Sequence, residues 1–243
     1  MALLSTTSSD KVKQVWLCIL VAVGLLLVVA SSGCDGNGYE AGLDAFNEGD
    51  YASALNTFRP LAEQGDAQAQ FKLGVMYHQG LEVEQDYEEA VRWYRQAADQ
   101  GLASAQSNLG AMYRDGLGVS QNDDKAFKWF RLAAEQGNEA AQTNLGAMYY
   151  QGHGVGQDYQ EAAQWFQRAA KQGNAKAQFN LGGMYSEGKG LPTDYVLAHL
   201  WLTRAAEQGF PKAITLRETL EGVMIPEQLS EAQRLEAKGF MVR

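Results

Sequence analysis

The sequence predicts an all-α protein built as a solenoid of stacked helix-turn-helix repeats. Three observations carry that prediction. First, Gly65, Gly101, Gly137, Gly173 and Gly209 are spaced 36 residues apart, and the strings Gln70-Phe-Lys-Leu-Gly74, Gln106-Ser-Asn-Leu-Gly110, Gln142-Thr-Asn-Leu-Gly146 and Gln178-Phe-Asn-Leu-Gly182 recur in phase with them. A period of this size marks one supersecondary unit stacked on copies of itself. Second, two apolar stripes at helical spacing recur in every copy. Third, each copy carries glycine-containing turns between the stripes.

The first 34 residues are of another kind. Lys11 and Lys13 precede an apolar stretch from Val15 to Val29, followed by small residues and Cys34. This order reads as a charged region, an apolar region and a processing site. The stretch is short for a spanning helix, which needs about 20 apolar residues. Ser31-Ser-Gly-Cys34 resembles a bacterial lipobox, with Ser31 where that motif usually carries an aliphatic residue. The resemblance implies lipidation of Cys34, with an uncleaved membrane anchor as the alternative. Residues 35–64 read as a short linker and a degenerate leading repeat: a first helix over Ala41–Asn47, then a second-helix pattern of Ala54, Phe58, Leu61 and Ala62. Pro60 removes a helical hydrogen bond and predicts a kink or early break.

Four full repeats follow, over 65–100, 101–136, 137–172 and 173–208. In each first helix, alanines at 69, 105, 141 and 177, leucines at 73, 109, 145 and 181, and tyrosines at 77, 113, 149 and 185 form an i, i+4, i+8 row. In each second helix, Ala90, Ala126, Ala162 and Ala198 lead to Trp93, Trp129, Trp165 and Trp201, then to pairs of alanines. Gly80, Gly116, Gly152 and Gly188 are placed to end the first helix in the left-handed conformation. Asp86, Asn122, Asp158 and Asp194 stand where the second helix needs an N-cap, with Glu89 and Glu161 completing capping boxes. Gly74, Gly110, Gly146 and Gly182 cost about 1 kcal/mol each inside a helix. That cost implies close approach of the second helix, with tryptophan and tyrosine rings around the contact. Residues 209–243 supply capping helices: one begins at Pro211, and a last one begins at Pro226. Ile225 stands at its cap position, and the missing hydroxyl predicts fraying.

The pattern of Ala105-Gln-Ser-Asn-Leu-Gly-Ala-Met-Tyr113 with Gly116-Leu-Gly118, and of Ala198-His-Leu-Trp-Leu-Thr-Arg-Ala-Ala-Glu-Gln-Gly209, resembles Sel1-like repeats, relatives of tetratricopeptide repeats. It covers about residues 41 to 217, with Glu82 replacing the turn glycine seen at Gly118, Gly154 and Gly190, and Arg217 the repeat leucine in the last copy. The resemblance implies a right-handed α-solenoid that acts as a non-enzymatic protein-binding scaffold. Disulfide-rich members of the family have been linked to cell-envelope hydrolysis or carbohydrate binding. The array here has no cysteine, since the two cysteines of the chain are Cys18 and Cys34, and that activity does not transfer.

Composition narrows the partners. The chain carries a net charge of −9, and removal of residues 1–33 takes away Lys11, Lys13 and Asp10. An acidic body disfavours nucleic acid and gains nothing from anionic lipid, so membrane attachment falls to the amino terminus. The expected location is the bacterial envelope, on the side facing the periplasm or cell exterior. The expected partner is a protein or peptide, and no cofactor, metal or catalytic residue is implied. His78, His153 and His199 fall at different repeat positions and form no ligand set. Ser186-Glu-Gly-Lys189 matches a Ser-x-x-Lys string, but Gly188 breaks the helix that such chemistry requires.

In tetratricopeptide relatives the first helices line a concave groove, and an asparagine before the repeat leucine binds the backbone of an extended peptide. Asn108, Asn144 and Asn180 occupy that place, with Lys72 in the first copy. An amide offers donor and acceptor together, which suits a peptide group. Packing between repeats is the other role open to these residues. Specificity is expected from first-helix positions that differ between copies: Phe71, Ser107, Thr143 and Phe179 in one row, and His78, Arg114, Tyr150 and Ser186 in another. Phe71 and Phe179 also suit burial between repeats.

Overall fold

A computed structural model describes residues 36–239; Val15–Val29 and Cys34 lie outside the described residues. These residues form twelve α-helices and no strand. The chain divides into two units, Met1–Phe58 and Arg59–Arg243.

In the first unit, α1 (Gly36–Glu48) and the beginning of α2 (Tyr51–Glu63) form a reduced repeat. α1 is longer than the predicted Ala41–Asn47. The Phe58 ring is buried 5.5 Å from Tyr39 and 6.4 Å from Phe46. A methyl group added at Gly42 would meet Phe58 Cε1 at 2.7 Å, so the ring lies directly on helix backbone. Pro60 does not break α2, which runs on to Glu63.

The second unit contains the four repeats as helix pairs: α3 (Ala67–Gln79) with α4 (Tyr87–Asp99), α5 (Ala103–Asp115) with α6 (Asp123–Glu135), α7 (Glu139–Gln151) with α8 (Tyr159–Lys171), and α9 (Ala175–Glu187) with α10 (Tyr195–Glu207). Each second helix also packs on the first helix that follows it, which makes the unit an all-α solenoid. Gly80, Gly116, Gly152 and Gly188 end the first helices with φ of 70°, 69°, 76° and 70°. The predicted N-caps hold: Asp86 and Asp158 each accept two backbone N–H groups, and Asn122 and Asp194 one each. The capping boxes do not close as predicted. The Asp86 N–H donates to the Tyr77 carbonyl and that of Asp158 to Tyr149, so no donor remains for the glutamate. Glu89 instead accepts from Trp93 Nε1 at 2.9 Å.

The close approach at the helix-interior glycines is present, but the covering side chain follows each tryptophan by one position. A methyl group at Gly74, Gly110, Gly146 or Gly182 would fall 2.7 to 2.9 Å from Tyr94, Phe130, Phe166 or Leu202 respectively. All four are buried, and alanines of both helices fill the remaining core.

A row of glutamines that has no precedent in the expectations above binds one repeat to the next. Gln70, Gln106, Gln142 and Gln178 are buried. Their Nε2 groups donate to the carbonyls of Ala62, Ala98, Ala134 and Ala170 at 3.1 to 3.2 Å. Their Oε1 atoms accept from Gln100, Gln136, Gln172 and Gln208 at 2.8 to 2.9 Å. Each buried amide therefore ties the preceding second helix to the end of its own. A buried polar group satisfied in this way fixes register.

The array closes with α11 (Pro211–Glu221) and α12 (Pro226–Ala237). α12 docks on α10. Its first turn is better held than predicted, because Gln228 Oε1 accepts from the Ile225 N–H at 3.1 Å. His199 of α10 is buried between Glu221 of α11 at 2.9 Å and Glu236 of α12 at 3.2 Å, so one imidazole joins all three terminal helices.

Candidate functional site

The first helices share one face along the second unit, and on that face α7, α9 and α11 border a groove of about 360 Å³. Turn glycines hold the helix pairs in position. At Gly118, Gly154 and Gly190 an added methyl group would fall 2.2 to 2.4 Å from the carbonyls of Tyr87, Asp123 and Tyr159 in the preceding repeat. Glu82, at the same place in the first repeat, keeps a positive φ of 55°. The glycines thus permit the close repeat-to-repeat contact that aligns the first helices.

The three asparagines reach three different situations. Asn108 is a polar neighbour of the Tyr94 phenol, which burial pushes up to about 12 while Asn108 opposes the shift. Asn144 Oδ1 accepts from Arg114 Nη1 at 2.8 Å. Arg114 also grips Asp115 through two bonds of 2.7 and 2.8 Å, which holds that carboxyl below its usual range. Its guanidinium lies 5.8 Å from the Phe130 ring centroid. Asn180 has no side-chain hydrogen bond among the described residues and lines the groove, as does Asn144. Lys72, in the corresponding place of the first copy, is half-buried, and burial lowers its pKa.

The variable rows divide between core and groove. Ser107 and Thr143 are buried, with exposures of 6% and 3%, and Thr143 Oγ1 donates to the Glu139 carbonyl. Phe71 packs against Tyr94, ring centroids 5.9 Å apart. Ser107 and Thr143 are thus turned into the core, and Phe71 is partly buried beside the paired helix. Phe179 packs on Phe210 at 5.2 Å and still borders the groove. His78 stands edge-on to Tyr87, with Nδ1 3.4 Å from the Tyr94 hydroxyl. Tyr150 lines the groove and accepts from Lys189 Nζ at 3.1 Å. Lys189 is also paired with Glu187 at 2.7 Å, and these two contacts raise its pKa. Ser186 Oγ donates to the Gly183 carbonyl, so the Ser-x-x-Lys string makes two separate local contacts.

Of the ten predicted binding residues, Arg114, Asn144, Tyr150, Phe179 and Asn180 come together around the groove, and Asn108, Phe71, His78, Ser107 and Thr143 do not. Lys176, Gly183, Met148, Met184 and Leu216 border it without having been singled out. The consecutive glycines Gly182-Gly183 were the available signal, since the other three copies carry Val75, Ala111 and Ala147 at the second of those places.

The family model for the Sel1 repeat matches residues 67–102, 103–138, 139–174 and 175–210. Among solved structures, a Sel1 repeat protein from Oxalobacter formigenes is 35% identical, with a TM-score of 0.67 over 74% of this chain and 74% of that one. A protective antigen of uropathogenic Escherichia coli with an SLR fold is 34% identical, with a TM-score of 0.57. The match covers 89% of this chain but only 56% of the antigen, so this chain spans little more than half of that protein. A Sel1 repeat protein from Klebsiella pneumoniae subsp. pneumoniae shares the fold at 22% identity and a TM-score of 0.53, over 79% of this chain and 95% of that one. No curated protein matches the chain.

Proposed function

The chain belongs to the Sel1 repeat family, a family of generally non-enzymatic interaction scaffolds, and from that premise we propose that it is an envelope-tethered adaptor that binds a segment of another protein along its first-helix face. The observation that carries this reading is the groove itself. It is lined by residues of successive first helices, and the amide of Asn180 makes no side-chain hydrogen bond among the described residues. A half-buried amide with both donor and acceptor available is suited to the backbone of an extended chain. Arg114 and Tyr150 add the residue types that dominate binding energy at interfaces. Attachment through Cys34 and placement in the periplasm or at the cell exterior are part of the proposal, supported by Lys11, Lys13 and the apolar stretch that precedes the cysteine.

Site-specific photocrosslinking in intact cells tests the binding face. A photoreactive residue at Gln151, which borders the groove, should capture a discrete partner, and capture should disappear when Asn180→Ala is added. The same residue at Leu132, exposed on a second helix, should capture little. Equal capture from both positions, unaffected by Asn180→Ala, would overturn the assignment. Tethering is tested separately: incorporation of labelled fatty acid should be lost in Cys34→Ala, and its persistence would exclude this cysteine.

A further inference from the structure

Gly183 is a glycine that the fold does not use. Its neighbour Gly182 is required, because a methyl group there would sit 2.8 Å from Leu202 Cγ. At Gly183 the same addition would meet only Leu216 Cδ2, at 4.0 Å, and its φ is not in the left-handed region. A glycine inside a helix gives up about 1 kcal/mol relative to alanine. Neither packing nor backbone conformation offsets that loss here. What the missing side chain leaves is depth in the groove floor, with Met148, Met184, Phe179 and Leu216 as apolar walls.

Two polar groups flank this hollow on the same helix. Lys176, Asn180 and Gly183 are spaced i, i+4, i+7 and form one stripe of α9. Lys176 has no ion pair among the described residues. The acid whose charge it feels, Asp115, is already gripped by Arg114. On a chain of net charge −9, this is a cation beside an apolar hollow with its charge uncommitted. Seven residues of helix span about 10 Å, and an extended chain covers that distance in about three residues.

We propose that the groove holds an extended protein segment whose aliphatic side chain fills the hollow above Gly183 while a carboxylate about three residues away pairs with Lys176. Asn180 holds the backbone between them. This deepens the adaptor reading and depends on it. The charge of Lys176 selects an acidic segment over a basic one, and the hollow selects leucine, isoleucine or methionine over a polar side chain.

The probes are labelled hexapeptides, otherwise serine and alanine, with leucine three residues before or after an aspartate. Fluorescence anisotropy against the full chain in detergent micelles is compared with thermal unfolding of the same variants. One orientation should bind, and changing its leucine to alanine should weaken binding about tenfold or more. Gly183→Ala should raise Tm and weaken binding; Gly183→Leu should abolish binding in a folded protein. Lys176→Glu should weaken the aspartate peptide and lose its salt dependence. Failure of both peptides to bind wild type overturns the proposal. So does binding indifferent to Gly183→Leu, and if that binding is still lost in Asn180→Ala the groove reading survives without the hollow. Concentration-dependent dimerisation removed by Gly183→Leu would assign the hollow to a second copy instead. Binding gained only on removing residues 240–243 would assign it to a segment of the same chain. Either result overturns the partner segment.

Discussion

Two rows of side-chain amides run through the repeats with the same period and opposite duties. The glutamines at 70, 106, 142 and 178 are buried, and every copy makes the same pair of bonds. The asparagines, two residues further along the same helices, are half-buried and differ copy by copy: Asn108 neighbours the Tyr94 phenol, Asn144 accepts from Arg114, and Asn180 has no side-chain hydrogen bond among the described residues. Repetition of bonding, and not of residue type, separates the seam of the array from the proposed recognition face. Where each copy must contact the next, the environment repeats and the bond repeats with it. Where a ligand would be met, the environment is free to change.

The comparison breaks most sharply at Gln142→Glu. A carboxylate there would face the Ala134 carbonyl in a buried seam, and an uncompensated buried charge costs about 3 to 5 kcal/mol. Burial raises the pKa of such a carboxyl, so stability should be lost as pH rises through that folded value and regained on acidification, when the protonated group can donate again. Denaturant unfolding across the acidic range reads this directly. Gln142→Ala should be milder, at about 2 kcal/mol, for the unsatisfied carbonyl and the Gln172 amide it leaves behind. A loss under 0.5 kcal/mol would mean that the glutamine row does not hold the seam.

Asn108 sharpens the boundary between the rows. Its neighbour Tyr94 is pushed up from the ordinary 10.0 to about 12, so the native state is fully favoured below pH 10 and loses that advantage as pH climbs through 12, by about 3 kcal/mol. Phenolate absorbance followed beside helicity should show Tyr94→Phe abolishing this alkaline phase. Asn108→Ala should cost about 1 kcal/mol. Asn180→Ala should change stability by less than about 0.5 kcal/mol while removing the photocrosslinked partner. Equal losses from Asn108→Ala and Asn180→Ala would erase the distinction between engaged and open asparagines.

What the sequence disclosed was what four copies agree on. Gly80 and its counterparts, the caps at Asp86, Asn122, Asp158 and Asp194, and the close approach over Gly74 are local consequences of backbone geometry. The glutamines were equally visible in the repeat strings, but a glutamine on a helix is ordinarily a solvated residue, and only the neighbouring repeat's Ala134 carbonyl explains burial of Gln142. The capping boxes failed because the Asp86 N–H was already taken by Tyr77 across the turn. Half of the candidate site was readable by analogy of position. Ser107 and Thr143 were misplaced because the side of a first helix they occupy is set by its partner helix. Gly183 left a trace in the doubled glycine that the other copies lack, whereas Lys176 emerges only when three first helices are placed side by side.

The glutamine seam also bears on how such a chain can change length. Every seam bond joins residues eight or thirty apart, so excision of residues 103–138 would bring Gln142 to the Ala98 carbonyl that Gln106 now occupies. A 36-residue insertion would meet matching partners in the same way. Duplication and loss of whole modules therefore leave the seam intact, each changing stability by its own repeat and interface terms, and the number of copies becomes a heritable trait through which the reach of the proposed binding face can be adjusted without redesign of the interior.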